Sequence, residues 1–440
     1  MIPDPCVLKA ARLVDPVQGL DGEHDLRIAG GRIAAVGRDL PLDGAAPVAL
    51  PAGFVVCPGF IDMHVHLREP GQEHKETIAS GAAAAVAGGF VAVACMPNTE
   101  PVNDHAGVTE EIVRKAAAAG LARVYPIGAA TVGSAGERLT EIRELRAAGC
   151  VAVSDDGHPI ADALMMRRAL EYVSMFDMPV INHCEDPSLK GEGVVHEGYR
   201  AASLGLRGIP GAAEAVMVER DVSLSELAGG AVHIAHMSAR GSLRAVRSGK
   251  ERDIAVTCEV TPHHFILTDD ELEYDTNFKM NPPLRAAEDR TAMLDGLADG
   301  SIDAIATDHA PHHADEKALE FDRAPFGVVG LETAVPLALD RLVHRGVIGL
   351  PRLVELLARN PARILRVEGG TLEPGSTADL TILAPDAATE VAASRFRSKG
   401  RNTPFDGWRL RGAIAATLID GRAVYVNGAV AGAELLGASS

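Results

Sequence analysis

The stretch Pro58-Gly-Phe-Ile-Asp-Met-His64-Val-His66-Leu-Arg68-Glu-Pro-Gly71 decides how the rest of the chain is interpreted. An apolar run rich in β-forming residues leads into it, which predicts a buried strand ending in His-x-His. Because strand side chains alternate between faces, His64 and His66 point the same way, close enough to hold one ion. Two imidazoles on one strand face suit zinc. Alone, the pair also fits ordinary histidines at a strand end, so the remaining chain has to decide.

From this strand onward the chain repeats one pattern: a short apolar strand, a polar or glycine-bearing break, and an alanine- and leucine-rich helical segment. Eight strand and helix repeats are typical of a (β/α)8 barrel, the TIM barrel of the α/β class. Helices are predicted at 78–87, 108–119, 161–172, 212–228 and 288–297. The eight predicted strands end near His66, Asn98, Ala130, Asp156, His183, His236, His264 and Asp308.

The two ends of the chain have a different sequence pattern, in which short β-forming runs are separated by turns such as Gly30-Gly31 and Asp420-Gly421. The sequence therefore predicts a small composite β-sandwich domain from residues 1–56 and 368–440. The barrel is predicted to occupy residues 57–367. A chain of 440 residues is long enough for one barrel and such a companion.

Composition and charge narrow the class of function. The net charge of -18 argues against nucleic-acid and anionic-membrane partners, which require clustered lysine and arginine. We find neither a secretory leader pattern nor a long apolar run, so a cytoplasmic location is expected. The six cysteines are scattered without Cys-x-x-Cys spacing, which indicates reduced core residues.

Several polar side chains stand at the predicted strand ends, where a barrel collects its reacting groups. His64, His66, His183, His236 and Asp308 can converge there although they span most of the chain. Such a nitrogen-rich set suits a pair of zinc ions. A two-metal site also needs an anionic bridge, and the fourth strand supplies two adjacent candidates. From spacing alone, the bridge is either Asp155 or Asp156.

These segments resemble, in order and spacing, the dihydroorotases of the amidohydrolase superfamily, in particular the bacterial class I type. The likeness extends over nearly the whole chain. The segments that carry it are Pro58–Gly71, Met96-Pro-Asn-Thr99, Ser154-Asp-Asp-Gly157, Lys279-Met-Asn-Pro-Pro-Leu-Arg285, Ala306-Thr-Asp-His-Ala-Pro-His312, Ala324–Thr333 and Asn402-Thr-Pro-Phe405.

The resemblance implies a zinc-dependent cyclic amide hydrolase that reversibly closes N-carbamoyl-L-aspartate to L-dihydroorotate in de novo pyrimidine (UMP) biosynthesis. It implies two Zn²⁺ per chain, with Asp156 as the bridge and Asp155 behind it. Asp308 would serve as the general acid/base. The implied metal ligands are His64, His66, Asp156, His183, His236 and Asp308. The implied substrate contacts are His66, Arg68, Asn98, Asn281, His312, Phe326 and Gly327. A homodimer is expected, and association with aspartate transcarbamoylase is left open.

Other interpretations of these residues stay open at this point. Arg68 lies two residues past His66, and so on the same face if the strand persists, but it could instead belong to a surface ion pair. Asn98 and Asn281, each beside a proline, could form turns. His233 lies three residues before His236, so a regular strand would turn it to the opposite face, away from any metal. The rival functions are another cyclic amide hydrolase (a hydantoinase, dihydropyrimidinase or allantoinase), or a non-catalytic partner of aspartate transcarbamoylase. The first group generally bridges its metals with a carboxylated lysine, and the fourth strand has none.

Overall fold

The structure is a computed structural model that describes residues 2–430. The strands are β1 (Cys6–Asp15), β2 (Leu20–Ala29), β3 (Arg32–Gly37), β4 (Ala46–Ala49), β5 (Val55–Pro58), β6 (Phe60–Val65), β7 (Phe90–Cys95), β8 (Arg123–Ala129), β9 (Ala152–Ser154), β10 (Val180–Asn182), β11 (Val195–His196), β12 (Gly208–Ile209), β13 (Val232–Ile234), β14 (Val256–Val260), β15 (Ala304–Ile305), β16 (Leu380–Glu390), β17 (Arg409–Ile419) and β18 (Arg422–Val426).

The helices are α1 (Ile78–Ala87), α2 (Ala106–Ala119), α3 (Ile142–Ala148), α4 (Ala163–Ser174), α5 (Pro187–Lys190), α6 (Tyr199–Leu204), α7 (Gly211–Ala228), α8 (Arg240–Glu251), α9 (Pro262–Ile266), α10 (Ala287–Asp299), α11 (Ala314–Lys317), α12 (Ala334–Ala338), α13 (Leu350–Val354) and α14 (Asn360–Leu365). The helices predicted from composition are confirmed as α1, α2, α4, α7 and α10. In the described part of the chain, no helix is long and apolar enough to cross a membrane.

The middle of the chain forms the predicted barrel. Its eight strands follow the order β15-β14-β13-β10-β9-β8-β7-β6, and every neighbouring pair is parallel. A parallel bridge between Val65 and His309 joins the two ends of this sheet, and the His66 amide donates to His309 O at 2.8 Å. The predicted (β/α)8 class is therefore confirmed.

The seventh barrel strand is shorter than predicted. β14 ends at Val260, and Pro262 begins the short helix α9, which contains His263 and His264. Proline at the first turn of a helix costs no hydrogen bond, so the chain leaves the strand there without penalty. His264 then contacts Thr261 Oγ1 at 2.7 Å and Pro282 O at 2.9 Å, away from the predicted metal ligands.

Strands from both ends of the chain pair in a second sheet, with the order β18-β17-β16-β5-β1-β2-β3 and β4 on β1. This sheet packs around an apolar core of its own, which includes Leu13, Leu26 and Ile382. β5 runs two residues past the predicted boundary at residue 56. The pairing supports a terminal domain built from both ends of the chain. The domain boundaries at residues 56/57 and 367/368 remain a prediction.

Close packing fixes where the first barrel strand begins. Gly59 separates β5 from β6, and a Cβ atom at this position would lie 2.4 Å from Val91 Cγ2 on the neighbouring strand β7. Only glycine permits that approach. β6 can therefore lie against β7 and deliver His64 and His66 to one end of the barrel.

Candidate active site

The predicted polar side chains meet at the carboxyl ends of the barrel strands. His64 is in β6, His183 directly follows β10, and Asp156, His236 and Asp308 lie two or three residues beyond their strands. His236 and Asp308 adopt positive φ angles of 32° and 48°, so the chain turns sharply at these positions. All five side chains are buried.

Asp156 stands between two pairs of histidines. Its Oδ2 lies 3.5 Å from His64 Nε2 and 3.5 Å from His66 Nε2. Its Oδ1 lies 3.5 Å from His236 Nε2 and 3.8 Å from His183 Nδ1. One carboxylate therefore presents one oxygen to each pair, the arrangement expected of a bridging ligand. Asp155 instead accepts hydrogen bonds from the Thr131 amide at 2.9 Å and from Thr131 Oγ1 at 2.5 Å.

This set of atoms fits metal ions. The two groups His64, His66, Asp156 and Asp156, His183, His236 each bring three ligand atoms within 4.8 Å of one another. Ligands of a tetrahedral zinc ion lie about 3.3 Å apart, close to the separations found around Asp156. His64 Nε2 and Asp156 Oδ1 are buried and have no hydrogen-bond partner in the described structure, which is costly unless a cation is bound.

Asp308 faces the first histidine pair. Its Oδ1 lies 3.0 Å from His66 Nε2 and 3.5 Å from His64 Nε2. Burial alone would raise the pKa of this carboxyl, but the facing imidazoles of His64 and His66 hold its pKa well below the usual range. Asp308 is therefore ionised in this arrangement.

A buried polar layer lies beneath these ligands. Glu259, in β14, accepts from His64 Nδ1 at 2.7 Å, from His233 Nε2 at 3.2 Å and from the His236 amide at 3.3 Å. The expectation for His233 assumed a regular strand as far as His236, but β13 ends at Ile234. His233 faces Glu259 and belongs to neither group of possible metal ligands. The sequence analysis missed Glu259, although a single acid in the apolar run Val256-Thr-Cys-Glu-Val260 is a signal of a buried role.

Arg68 reaches the site by a route that strand geometry did not predict. β6 ends at Val65 and Arg68 has a φ of 61°, so it does not continue the face of His66. It is nonetheless only 8% exposed and lines the same cavity as the metal-ligand set, a cavity of about 500 Å³. Its Nε donates to Pro311 O at 3.2 Å, and no carboxylate lies within 4 Å of its guanidinium in residues 2–430. Burial lowers the pKa of Arg68 to about 10, so it stays charged at neutral pH.

The other predicted substrate contacts line this cavity too: Asn98, Asn281, His312, Phe326 and Gly327. His312 Nε2 donates to Phe326 O at 2.8 Å. Burial, followed by repulsion from Arg68, lowers the pKa of His312 to about 3, so this ring is neutral. The side-chain oxygen of Asn98 accepts from His66 Nδ1 at 2.8 Å, which orients that ring toward Asp308.

Two residues of the cavity region escaped the sequence analysis. Glu185 lies 3.5 Å from His183 Nε2 and 3.2 Å from Asn281 Nδ2, and it pairs with Lys190 at 2.5 Å. Lys190 lines the cavity beside Phe326. Their only signal is position, because both closely follow the fifth barrel strand, Glu185 just after His183 and Lys190 at the end of α5.

Comparisons with known proteins agree with this geometry. Residues 53–242 match the family model described as dihydro-orotase-like. A curated dihydroorotase of Geobacter metallireducens is 52% identical over 95% of this chain and 99% of its own length. A dihydroorotase of Anaeromyxobacter dehalogenans is 53% identical over 97% of this chain and 99% of its own.

Solved structures show the same fold at greater distance. An L-hydantoinase from Arthrobacter aurescens superposes with a TM-score of 0.85 and 26% identity, over 97% of both chains. A dihydropyrimidinase from Brevibacillus agri superposes with a TM-score of 0.82 and 20% identity, over 96% of this chain and 95% of the dihydropyrimidinase chain. Sequence identity above half over nearly the full length of both chains decides the assignment: the chain belongs to the dihydroorotase family.

Proposed function

We propose that the chain is an active dihydroorotase, which reversibly converts N-carbamoyl-L-aspartate to L-dihydroorotate in de novo pyrimidine biosynthesis. The observation that carries this proposal is Arg68, a buried guanidinium in the same cavity as the ligand set around Asp156. A substrate of this reaction bears a carboxylate beside the amide that reacts. A guanidinium matches a carboxylate in a planar, two-point contact.

Two zinc ions are the metals we propose for the site. His64, His66 and Asp308 would hold the first, His183 and His236 the second, and Asp156 would bridge them. Bound zinc supplies Lewis acidity, which polarises a carbonyl oxygen and makes water a better nucleophile at neutral pH.

The protein's own residues then have separate tasks in ring opening. Asp308 takes the proton of the attacking water and delivers it to the ring nitrogen that leaves, and the reverse transfer accompanies ring closure. Arg68, Asn98 and Asn281 bind the substrate carboxylate. His312 contacts the substrate beside them, with its one N–H donated to Phe326 O. Backbone groups of Phe326 and Gly327 contact the pyrimidine ring. These contacts hold the amide carbonyl close to Asp308, where orientation contributes much of the rate.

The rival functions have less support. A hydantoinase, dihydropyrimidinase or allantoinase would leave Arg68 without an anionic ligand, and β9 with its flanks reads Val151-Ala-Val-Ser-Asp-Asp156 without a bridging lysine. The hydantoinase structures are also half as identical to this chain as the dihydroorotases are. A non-catalytic partner of aspartate transcarbamoylase would be expected to lose metal ligands, and each of the predicted ligands is present.

The assembly and location follow as further proposals. A homodimer in the cytoplasm is expected, and light scattering coupled to size-exclusion chromatography tests the first part. Adding an aspartate transcarbamoylase in the same measurement tests association between the two enzymes.

Metal content measured beside ring-opening activity is the experiment that tests the main proposal. Purified protein should contain zinc and open dihydroorotate. A metal-loaded protein with no activity toward dihydroorotate would refute the assignment.

A further inference from the structure

The loop of residues 321–327 is held in place by side chains from outside it. Five of its carbonyl oxygens, those of Phe321, Asp322, Pro325, Phe326 and Gly327, accept hydrogen bonds from the side chains of Lys279, Lys317 and His312. The loop has no regular secondary structure over these residues. These donors therefore contribute to its shape, beside turn hydrogen bonds from the Arg323 and Ala324 amides to Glu320 O. The loop carries Phe326 and Gly327 into the active-site cavity.

Lys279 secures the first part of the loop. Its Nζ donates to Phe321 O at 2.7 Å and to Asp322 O at 3.1 Å. The same ammonium lies 4.6 Å from the centre of the Phe326 ring, a cation–π contact. Its own carbonyl oxygen accepts from the Gly327 amide at 2.9 Å. Lys279 is thus bonded to both ends of the loop.

Lys317, at the end of α11, secures the second part. Its Nζ donates to Pro325 O and Gly327 O, both at 3.1 Å, and to Lys279 O at 3.4 Å. These three acceptors use all three protons of the ammonium group. Lys317 therefore holds the carbonyls on either side of Phe326, and Asn402 Nδ2 also donates to Gly327 O at 3.0 Å.

Burial of the two lysine side chains is energetically unfavourable, because their ammonium groups lose water. Lys279 is 2% exposed and Lys317 is 8% exposed, and neither has a carboxylate within 4 Å in the described residues. Burial lowers the pKa of Lys279 to about 8 and that of Lys317 to about 7. An ammonium without a counter-ion is unfavourable in a protein interior. Its backbone acceptors are what offset that cost here.

We propose that Lys279 and Lys317 are positioning residues that hold loop 321–327 against the cavity, so that Phe326 and Gly327 meet the substrate ring. The inference rests on the proposed function only for the identity of that substrate. Lys279 also lies two residues before Asn281, so it links the loop to a second side of the same cavity.

Limited digestion with trypsin measures how readily the backbone of the loop opens, independently of enzyme activity. The Arg323–Ala324 bond lies inside the loop, and the Arg323 side chain is 68% exposed. Cleavage still requires the backbone around it to open. In Lys279→Met and Lys317→Met, cleavage of native protein at this bond should be at least about tenfold faster, because each variant loses charged hydrogen bonds. Mass spectrometry identifies the products, residues 1–323 and 324–440.

Kinetics test the consequence for the substrate. KM for dihydroorotate should rise at least about tenfold in both variants, with a smaller change in kcat and unchanged metal content. Since Phe326 and Gly327 contact the ring, which dihydrouracil shares, kcat/KM should fall by the same factor for both compounds. Lys317→Arg keeps donors at this position and should restore part of the loss.

Lys250→Met is the matched control, because Lys250 also donates to a backbone carbonyl, Ser301 O at 2.8 Å, but outside the cavity. It should change neither cleavage at Arg323 nor KM.

Unchanged cleavage and KM in the two loop variants would overturn the proposal, as would uniform acceleration at all tryptic sites. If one variant does not fold, the other carries the test. If wild-type protein fails to open dihydroorotate, the proposed function fails, and the tryptic result still decides the role of the lysines.

Discussion

Glu259 Oε1 lies 2.7 Å from His64 Nδ1, and this contact directs His64 Nε2 toward Asp156. The same carboxylate oxygen accepts from the backbone amide of His236 at 3.3 Å. One buried acid therefore orients a ligand of the first proposed metal and the chain segment that carries a ligand of the second. Such an outer contact fixes the tautomer of the imidazole and strengthens it as a ligand.

Glu259→Gln should weaken metal binding about 10- to 100-fold, the usual effect of removing a carboxylate behind a ligating histidine. Competition with a chelator at equilibrium measures the affinity directly. Asp15→Asn is the control, since Asp15 is equally buried but belongs to the terminal sheet. Equal metal affinity in wild type and Glu259→Gln would show that Glu259 does not orient His64.

Asp308→Asn keeps the size of the side chain but cannot accept a proton. We expect turnover to fall by at least ~10²-fold, because general acid/base groups contribute on that scale. Metal content should stay close to that of wild type, since other ligands remain at the first site. Turnover near the wild-type level with metal bound would assign the proton transfer to another group.

Arg68→Lys tests recognition of the substrate carboxylate. An ammonium cannot reproduce the planar fork of the guanidinium, so KM for dihydroorotate should rise and kcat/KM should fall. Dihydrouracil lacks the carboxylate, and its conversion should scarcely change. The wild-type protein should prefer dihydroorotate by several kcal/mol in kcat/KM, since dihydrouracil leaves buried donors unpaired. A wild-type preference for dihydrouracil, hydantoin or allantoin would contradict the assignment.

Removal of metal should abolish activity, and added zinc should restore it. We expect about two zinc ions per chain in purified protein, from the two groups of ligands that share Asp156. His64→Ala and His66→Ala should lose activity while the protein stays folded, because the apolar core of the barrel lies elsewhere. Full activity in rigorously metal-free protein would refute the metal site.

Ring opening should gain over ring closure as pH rises. Hydrolysis of dihydroorotate creates a second carboxylate and releases one proton above the carboxyl pKa. The equilibrium ratio of open to closed form should therefore rise about tenfold per pH unit in the neutral range. A pH indicator in weakly buffered solution should record one proton per ring opened. Ring opening without proton release would point to a different reaction.

The sequence alone determined the class of fold and most of the site. Apolar strands alternating with helical segments predict the barrel, because each strand must be covered by a helix to leave water. The histidines and Asp308 stand at strand ends, and the carboxyl ends of parallel barrel strands meet at one rim. The sequence alone therefore predicts that residues as distant along the chain as His64 and Asp308 lie close together in the fold.

The tertiary structure decided what depends on backbone turns and on contacts between distant segments. Asp155 and Asp156 are adjacent and chemically identical, and contacts from distant segments separate their roles. Thr131 binds Asp155, whereas two pairs of histidines face Asp156. Alternation of faces ends with each strand, so it described neither the relation of His233 to His236 nor the direction of the Arg68 side chain. Glu259 and Lys279 act through neighbours that are far along the chain, His64 and loop 321–327. No local pattern encodes such a contact, because it exists only once the barrel has closed.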